Sequence, residues 1–285
     1  MLHYNSLPDH LPENNTCIMF ADDTTIITPI KLSNPPHQEI IDTLKNAEHI
    51  CNSLNLQINK NKTVHIKFNT TNRNCNEESN PIQDITTSES TKFLGIIVDK
   101  NLSWTEHLHS LEAKLSSTLF ALRRIRKITN KETSLIAYHA LFASHLIFGI
   151  IAWGSAAETS LQKIFILQKK AIRIIEEAPF QEHCKPLFKS NKILTLPSLY
   201  ILEVIKFIKN QPQHLRQEFH QYNLRNNKNL NLQQHRLQKY SKTPNYVGAK
   251  LYNLLPAEIK SIQNNNTILK HLKSYLIGWS ERQRA

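Results

Sequence analysis

Two adjacent carboxylates, Asp22 and Asp23, stand between the apolar runs at residues 17–21 and 24–28. Like charges side by side repel, so their pairing calls for a partner: a hard divalent cation, solvent, or the N–H groups of a turn. Along an uninterrupted strand successive side chains point to opposite faces, so both carboxylates can serve one site only where the chain bends. A bend would make them an oxygen-donor site suited to Mg²⁺ or Mn²⁺. Two such ions roughly 3.5–4 Å apart can activate a hydroxyl nucleophile and stabilise a leaving group at phosphorus. Turn chemistry alone also accounts for an Asp-Asp pair, and the two residues leave both readings open.

A second cluster is cationic. Arg123, Arg124, Arg126 and Lys127 crowd the end of one helical pattern, where cations suit the helix dipole and also suit a phosphate backbone. Charge is unevenly spread. Residues 1–185 hold 19 Lys and Arg against 19 Asp and Glu, whereas residues 186–285 hold 16 against 4, so the net charge of +12 sits entirely in the last hundred residues. That asymmetry points to a polyanionic partner for the C-terminal part. Tyr222, Tyr240, Tyr246, Tyr252 and Trp279 are interleaved there, and they serve equally as stacking platforms or as packing for small helices. The four cysteines, Cys17, Cys51, Cys75 and Cys184, include no Cys-x-x-Cys pair, which argues for free thiols rather than a zinc site.

The elements that must position these groups fall into two grammars. Residues 17–28 read as a β-hairpin turning at Asp22-Asp23. Ile40, Ile41, Leu44, Ala47, Cys51 and Leu54 form a helical stripe. Residues 64–68 and 93–99 read as single strands, with polar residues 69–90 as a loop between them. From Trp104 the pattern is helical: Leu108, Leu111, Leu115, Leu119, Leu122 and Ile125 make one stripe, followed by helices over 131–148 and 161–175. A further helix has Ser198 as its N-cap. The polar tract 210–245 reads as a loop, and two short helical patterns end the chain. The fold class is therefore α+β, with a mixed part over 1–104 and helical parts over 105–180 and 181–285. Residues 135–153 are apolar but carry His139 and His145, which predicts a buried helix rather than a membrane span. The N-terminus has no apolar signal core, which predicts a chain that is not secreted and works in the nucleus or cytoplasm.

In this order the motifs resemble a family. Phe20-Ala21-Asp22-Asp23 is similar to the Tyr/Phe-x-Asp-Asp box in the palm of reverse transcriptases. Tyr4-Asn5-Ser6-Leu7-Pro8 resembles the Tyr-x-Asn-Asp-Leu-Pro segment that precedes the box in non-LTR elements, with Ser6 in place of the usual Asp. Asn59-Lys60-Asn61-Lys62-Thr63 resembles the family's Asn-x-x-Lys-Thr turn, and Phe93-Leu94-Gly95 its Phe-Leu-Gly strand. Residues 122–155 and 245–256 look like the thumb and C-terminal regions of jockey-type retrotransposon proteins.

The resemblance implies a partial palm over 1–104, a thumb-like region over 105–180 and a basic C-terminal region over 181–285. It implies RNA-directed DNA polymerase chemistry, with Asp22 and Asp23 as catalytic ligands of Mg²⁺ or Mn²⁺ and Lys62 near the triphosphate. Phe93, Leu94 and Gly95 would form the primer grip. Arg123, Arg124, Arg126 and Lys127 would face the nucleic-acid backbone. The implied partners are an RNA template, a DNA primer and deoxynucleoside triphosphates, with no membrane. The family's further palm aspartate, Gly-rich segment and fingers have no counterpart within these residues. The expectation is a fragment inactive alone, the alternative being a non-catalytic nucleic-acid-binding remnant or co-opted module.

Overall fold

The computed structural model describes residues 7–8, 11–12, 14–21, 23–29, 36–68, 85–211, 229–262 and 264–279. Asp22, Tyr4, Asn5, Ser6, Cys75, Tyr222 and residues 69–84 and 212–228 of the expected loops lie outside these residues, as does the side chain of Trp279. The chain divides into two compact units, residues 1–91 and 92–285. The fold is mostly helical with small sheets, in keeping with the α+β expectation.

In the first unit, β1 (Thr16–Phe20) and β2 (Asp23–Ile27) pair antiparallel, from Thr16 opposite Ile27 to Phe20 opposite Asp23. β-branched residues dominate β2, which favours the extended pleat. Cys17, Met19 and Ile26 share one face and pack with Leu7, Leu11, Ala47 and Ile50, the last two on α1 (Pro36–Ser53). Asn15 ties the start of the hairpin to that helix, its amide donating to Thr43 Oγ1 at 3.0 Å. The expected strand at 64–68 is shorter. Only β3 (Val64–His65) is extended, paired in parallel with β4 (Thr86–Thr87), a partner hidden within the polar stretch.

In the second unit the stretch expected as one strand, 93–99, is instead the end of one strand, a turn and another strand. β5 (Ser90–Phe93) and β6 (Ile96–Asp99) form a two-stranded sheet. Leu94 and Gly95 between them have φ of 45° and 89°, the left-handed pair that matches the twist of a tight hairpin. A leucine at positive φ carries no turn signature, which is why the pattern read as continuous.

Helices α2 (Thr105–Ile128), α3 (Lys131–Ala137), α4 (Ser144–Ile147), α5 (Ile150–Trp153), α6 (Glu158–Glu176), α7 (Cys184–Ser190) and α8 (Leu196–Lys209) follow. The last three are α9 (Pro244–Asn253), α10 (Ala257–Lys260) and α11 (Asn265–Trp279). One core joins α2 to α11, with Leu108, Leu111, Leu115, Leu119 and Leu122 on the expected face of α2.

Asp99 starts α2. Its carboxylate accepts from the N–H groups of Asn101, Ser103 and Trp104 at 3.0, 3.0 and 2.8 Å and from the Ser103 hydroxyl at 3.3 Å. Burial disfavours its charge, but these donors outweigh burial and hold the carboxyl below its ordinary value.

The expected helix over 131–148 is interrupted. Residues 138–143 form a π turn, which buries Tyr138 and Phe142, and the chain breaks at Phe148 and Gly149 (φ 63°). A Cβ on Gly149 would meet Ile96 Cδ1 at 2.4 Å. Among the described residues no helix is long and apolar enough to cross a membrane.

The N-cap of α8 is Thr195, not Ser198. The Thr195 hydroxyl accepts from the Ser198 N–H, and Pro197 sits in the first turn, where its missing N–H costs nothing.

Candidate functional site

The hairpin expected around the carboxylate pair is present, with its reversal one residue earlier than the sequence suggested. Ala21 takes φ 54°, and Asp23 is already the first residue of β2, opposite Phe20. Cross-strand partners share a face, so Asp23 lies with Phe20, Ile18 and Thr25 on the face opposite the packed one. Asp23 is exposed, as are Ile18 and Phe20. Asp22 falls outside the described residues. Among those described, no three His, Cys, Asp or Glu side chains converge. Asp23 can therefore supply one carboxylate to a divalent ion, whose remaining oxygen donors would have to come from Asp22 and from groups elsewhere.

The Asn59–Thr63 motif closes on itself. The Asn59 carbonyl accepts from the N–H groups of Lys62 and Thr63 at 3.1 and 3.0 Å. Thr63 Oγ1 donates to the same oxygen at 2.9 Å, and the Lys62 N–H also approaches Asn59 Oδ1 at 3.3 Å. Asn and Thr at these positions are thus explained by local turn bonding. The Lys62 side chain is left exposed.

In the second unit, Phe93, Leu94 and Gly95 form the tip of the β5–β6 hairpin. A Cβ on Gly95 would meet the Phe148 ring at 3.0 Å, so glycine answers both a positive φ and a close approach. Beside the tip lies a cavity of about 220 Å³ whose lining includes Lys92, His107, Lys114 and His145. Burial, with Lys114 adding to it, pushes the His107 imidazole below its ordinary value. The sequence reading did not gather these four residues, although His107, Leu111 and Lys114 fall at helical spacing on α2.

The cationic cluster at the end of α2 is one wall of a groove of about 750 Å³. Arg123, Arg124 and Lys127 are exposed. Arg126 is engaged internally: its Nε donates to the Ile175 carbonyl at 2.9 Å and its Nη1 to the Thr129 carbonyl at 3.1 Å. Its Nη2 lies 3.2 Å from a Glu177 carboxylate oxygen. Arg126 thereby secures the C-terminal end of α6 to α2. The opposite wall carries Lys170, Arg173 and Phe180, which the sequence reading missed. Lys170 and Arg173 are three residues apart on α6, a spacing that places them on one face. Arg173 also donates to the Glu182 carbonyl at 3.1 and 2.9 Å.

Of the aromatics named for the basic C-terminal part, the described Tyr240, Tyr246 and Tyr252 pack locally. Tyr240, Tyr246 and His235 form a ring cluster with centroids 4.6–6.1 Å apart, and Tyr252 packs against the main core. The thiols of Cys17, Cys51 and Cys184 are free, as expected.

Comparison with known proteins bears on these features. The chain is 24% identical over 198 residues to the "RNA-directed DNA polymerase from mobile element jockey" of Drosophila melanogaster, covering 66% of this chain and 22% of that protein. It is 26% identical over 167 residues to the protein of the same description from Drosophila funebris, covering 56% and 18%. A third match, "Probable RNA-directed DNA polymerase from transposon BS" of Drosophila melanogaster, is 24% identical over 177 residues, 59% of this chain and 19% of that protein. The chain thus spans about a fifth of the length of the curated relatives it matches. No protein-family model matches it, and no solved structure does.

Proposed function

Starting from a chain related in sequence to the RNA-directed DNA polymerases of jockey-like, non-LTR mobile elements, we propose that these 285 residues run from the catalytic hairpin of such a polymerase through the helices that hold its nucleic acid. Residues 1–104 are then part of the palm. Residues 105–180 are a thumb-like region and residues 181–285 a basic helical region. The parent reaction is RNA-templated DNA synthesis: the primer 3′-hydroxyl attacks the α-phosphorus of a deoxynucleoside triphosphate, a phosphodiester bond forms, and pyrophosphate leaves.

In this reading Asp22 and Asp23 offer carboxylates to Mg²⁺ or Mn²⁺, which when bound supplies Lewis-acid stabilisation of the attacking and leaving oxygens. The exposed Lys62 ammonium lies toward the triphosphate. Phe93, Leu94 and Gly95 seat the primer end, for which the rigid left-handed turn is well suited. Arg123, Arg124 and Lys127 face the template–primer backbone, while Arg126 ties their helix, α2, to the end of α6. The observation that carries the reading is the tight hairpin with an exposed aspartate at its turn, in a chain whose relatives are polymerases. A non-catalytic nucleic-acid-binding module is the second reading, favoured by the cationic groove, which needs nothing from the hairpin.

Primer extension tests whether the carboxylate pair suffices by itself. One adjacent pair of carboxylates does not complete the near-octahedral spheres of two ions, so the 285 residues alone with template, primer and Mg²⁺ should give no extended product. Extension that disappears in Asp22→Asn would show instead that the pair suffices. Binding of a template–primer should weaken steeply with salt, and salt-independent binding would count against both readings.

A further inference from the structure

We propose that the groove between the ends of α2 and α6 binds an unpaired nucleic-acid strand, with phosphates on Arg123, Arg124, Lys127 and Lys170 and bases stacked on Phe120 and Phe180. The inference rests on the reading of the α2 terminus as a nucleic-acid contact and is independent of the catalytic hairpin. It assigns the form of the strand and adds a second wall.

Three observations support it. The first is charge: six Lys and Arg residues line the groove against one carboxylate, Glu177, and Arg126 pairs with that carboxylate at 3.2 Å. Arg123, Arg124, Lys127 and Lys170 form no ion pair with any described residue. This density arises within residues 1–185, whose formal charges balance, so it reflects local placement rather than the basic C-terminal composition.

The second is aromatic exposure. Phe120 and Phe180 line the same groove while 57% and 76% exposed, a poor arrangement for rings that serve only packing. Each has a guanidinium near one face: Arg124 Cζ lies 4.9 Å from the Phe120 centroid and Arg173 Cζ 5.7 Å from that of Phe180. Such pairs orient the ring, and the arginine can share a stacked base.

The third is the combination. A duplex presents phosphates but keeps its base faces stacked on one another, so it would use the cations and leave both rings wet. An unpaired strand offers both chemistries within one short segment. The groove is also anchored against collapse, because Arg126 and Arg173 spend their donors on the carbonyls of Ile175, Thr129 and Glu182.

The test uses the full chain and fluorescence anisotropy with an unstructured single-stranded RNA, the same sequence as DNA, the blunt duplex, and poly-glutamate as competitor. Charge elsewhere also attracts polyanions, so the readout is the change on substitution. Phe120→Ala with Phe180→Ala should weaken single-strand binding on the order of tenfold per ring, leave duplex binding and the salt slope unchanged, and be rescued by tryptophan at both positions. Arg123→Ala with Lys127→Ala should weaken both forms and flatten the salt dependence. All four side chains are exposed, and an unchanged thermal transition confirms folding. Tighter single-strand than duplex binding that depends on the rings, with either sugar, supports the proposal. Ring variants that bind every form like the parent chain, or poly-glutamate that competes as well as the oligonucleotides, would overturn the unpaired-strand inference alone. Binding indifferent to Arg123 and Lys127 would overturn the underlying nucleic-acid reading as well.

Discussion

The first unit buries a handful of side chains between a two-stranded hairpin and one helix, and leaves Ile18 and Phe20 exposed beside Asp23. The second surrounds Trp153, Tyr138 and Phe142 with leucines and isoleucines drawn from helices α2 to α11. The proposed catalytic carboxylates thus sit on the lean body and the proposed nucleic-acid contacts on the well-packed one. A two-stranded hairpin is marginal by itself, so its geometry depends on α1. Groove cations at the ends of α2 and α6 are instead placed by a rigid core.

The largest expected effect tests that contrast in packing. Trp153 is fully buried and donates from Nε1 to the Phe148 carbonyl at 2.9 Å, so Trp153→Ala should cost the second unit about 3–5 kcal/mol. Ile50→Ala should cost the first unit nearer 2 kcal/mol. Hydrogen exchange reads both, and amides of α1 should lose protection in the second variant only.

A somewhat smaller loss should come from Gln168. Its amide donates to Tyr138 Oη at 3.1 Å and the Leu194 carbonyl at 2.9 Å, and its oxygen accepts from the Leu196 N–H at 2.8 Å. Burial pushes the Tyr138 phenol up to about 12 despite that bond. Gln168→Leu strands buried polar groups at a cost of about 2–3 kcal/mol, and denaturant unfolding measures it.

Asp99 should show itself through pH. Its native pKa is depressed, so the stability it adds is complete above its ordinary value of 3.8 and is lost as pH falls through the lower native value. The second unit should therefore weaken below about pH 4. Asp99→Asn should reduce that dependence of the unfolding midpoint, leaving the part contributed by Glu176, whose carboxyl, against burial, is also held low by Lys131 and Asn191. The smallest effect is the cap: Thr195→Ala should cost about 1 kcal/mol, whereas Ser198→Ala, which keeps the Thr195 hydroxyl acceptor, should cost less.

What the sequence disclosed follows the same division. Two apolar, β-branched runs flanking an Asp-Asp turn made the β1–β2 hairpin legible, and the leucine stripe gave α2. Backbone conformations without a residue signature were hidden: Leu94 at positive φ, the π turn at 138–143, and the parallel β3–β4 pair. The groove was half legible. Arg123 to Lys127 stand out as a run, but Lys170, Arg173 and Phe180 join them only because α6 packs along α2. Global charge pointed to the last hundred residues instead, because a sum cannot register two local clusters balanced by acids elsewhere.

The central claim is that the hairpin carboxylates hold a divalent ion, and Mn²⁺ titration followed by NMR relaxation tests it directly. Paramagnetic broadening should begin at the amides around Asp22 and Asp23 and vanish there when both are changed to Asn. Broadening that spares the hairpin, or that persists in the double variant, would remove the chemical basis of the polymerase reading.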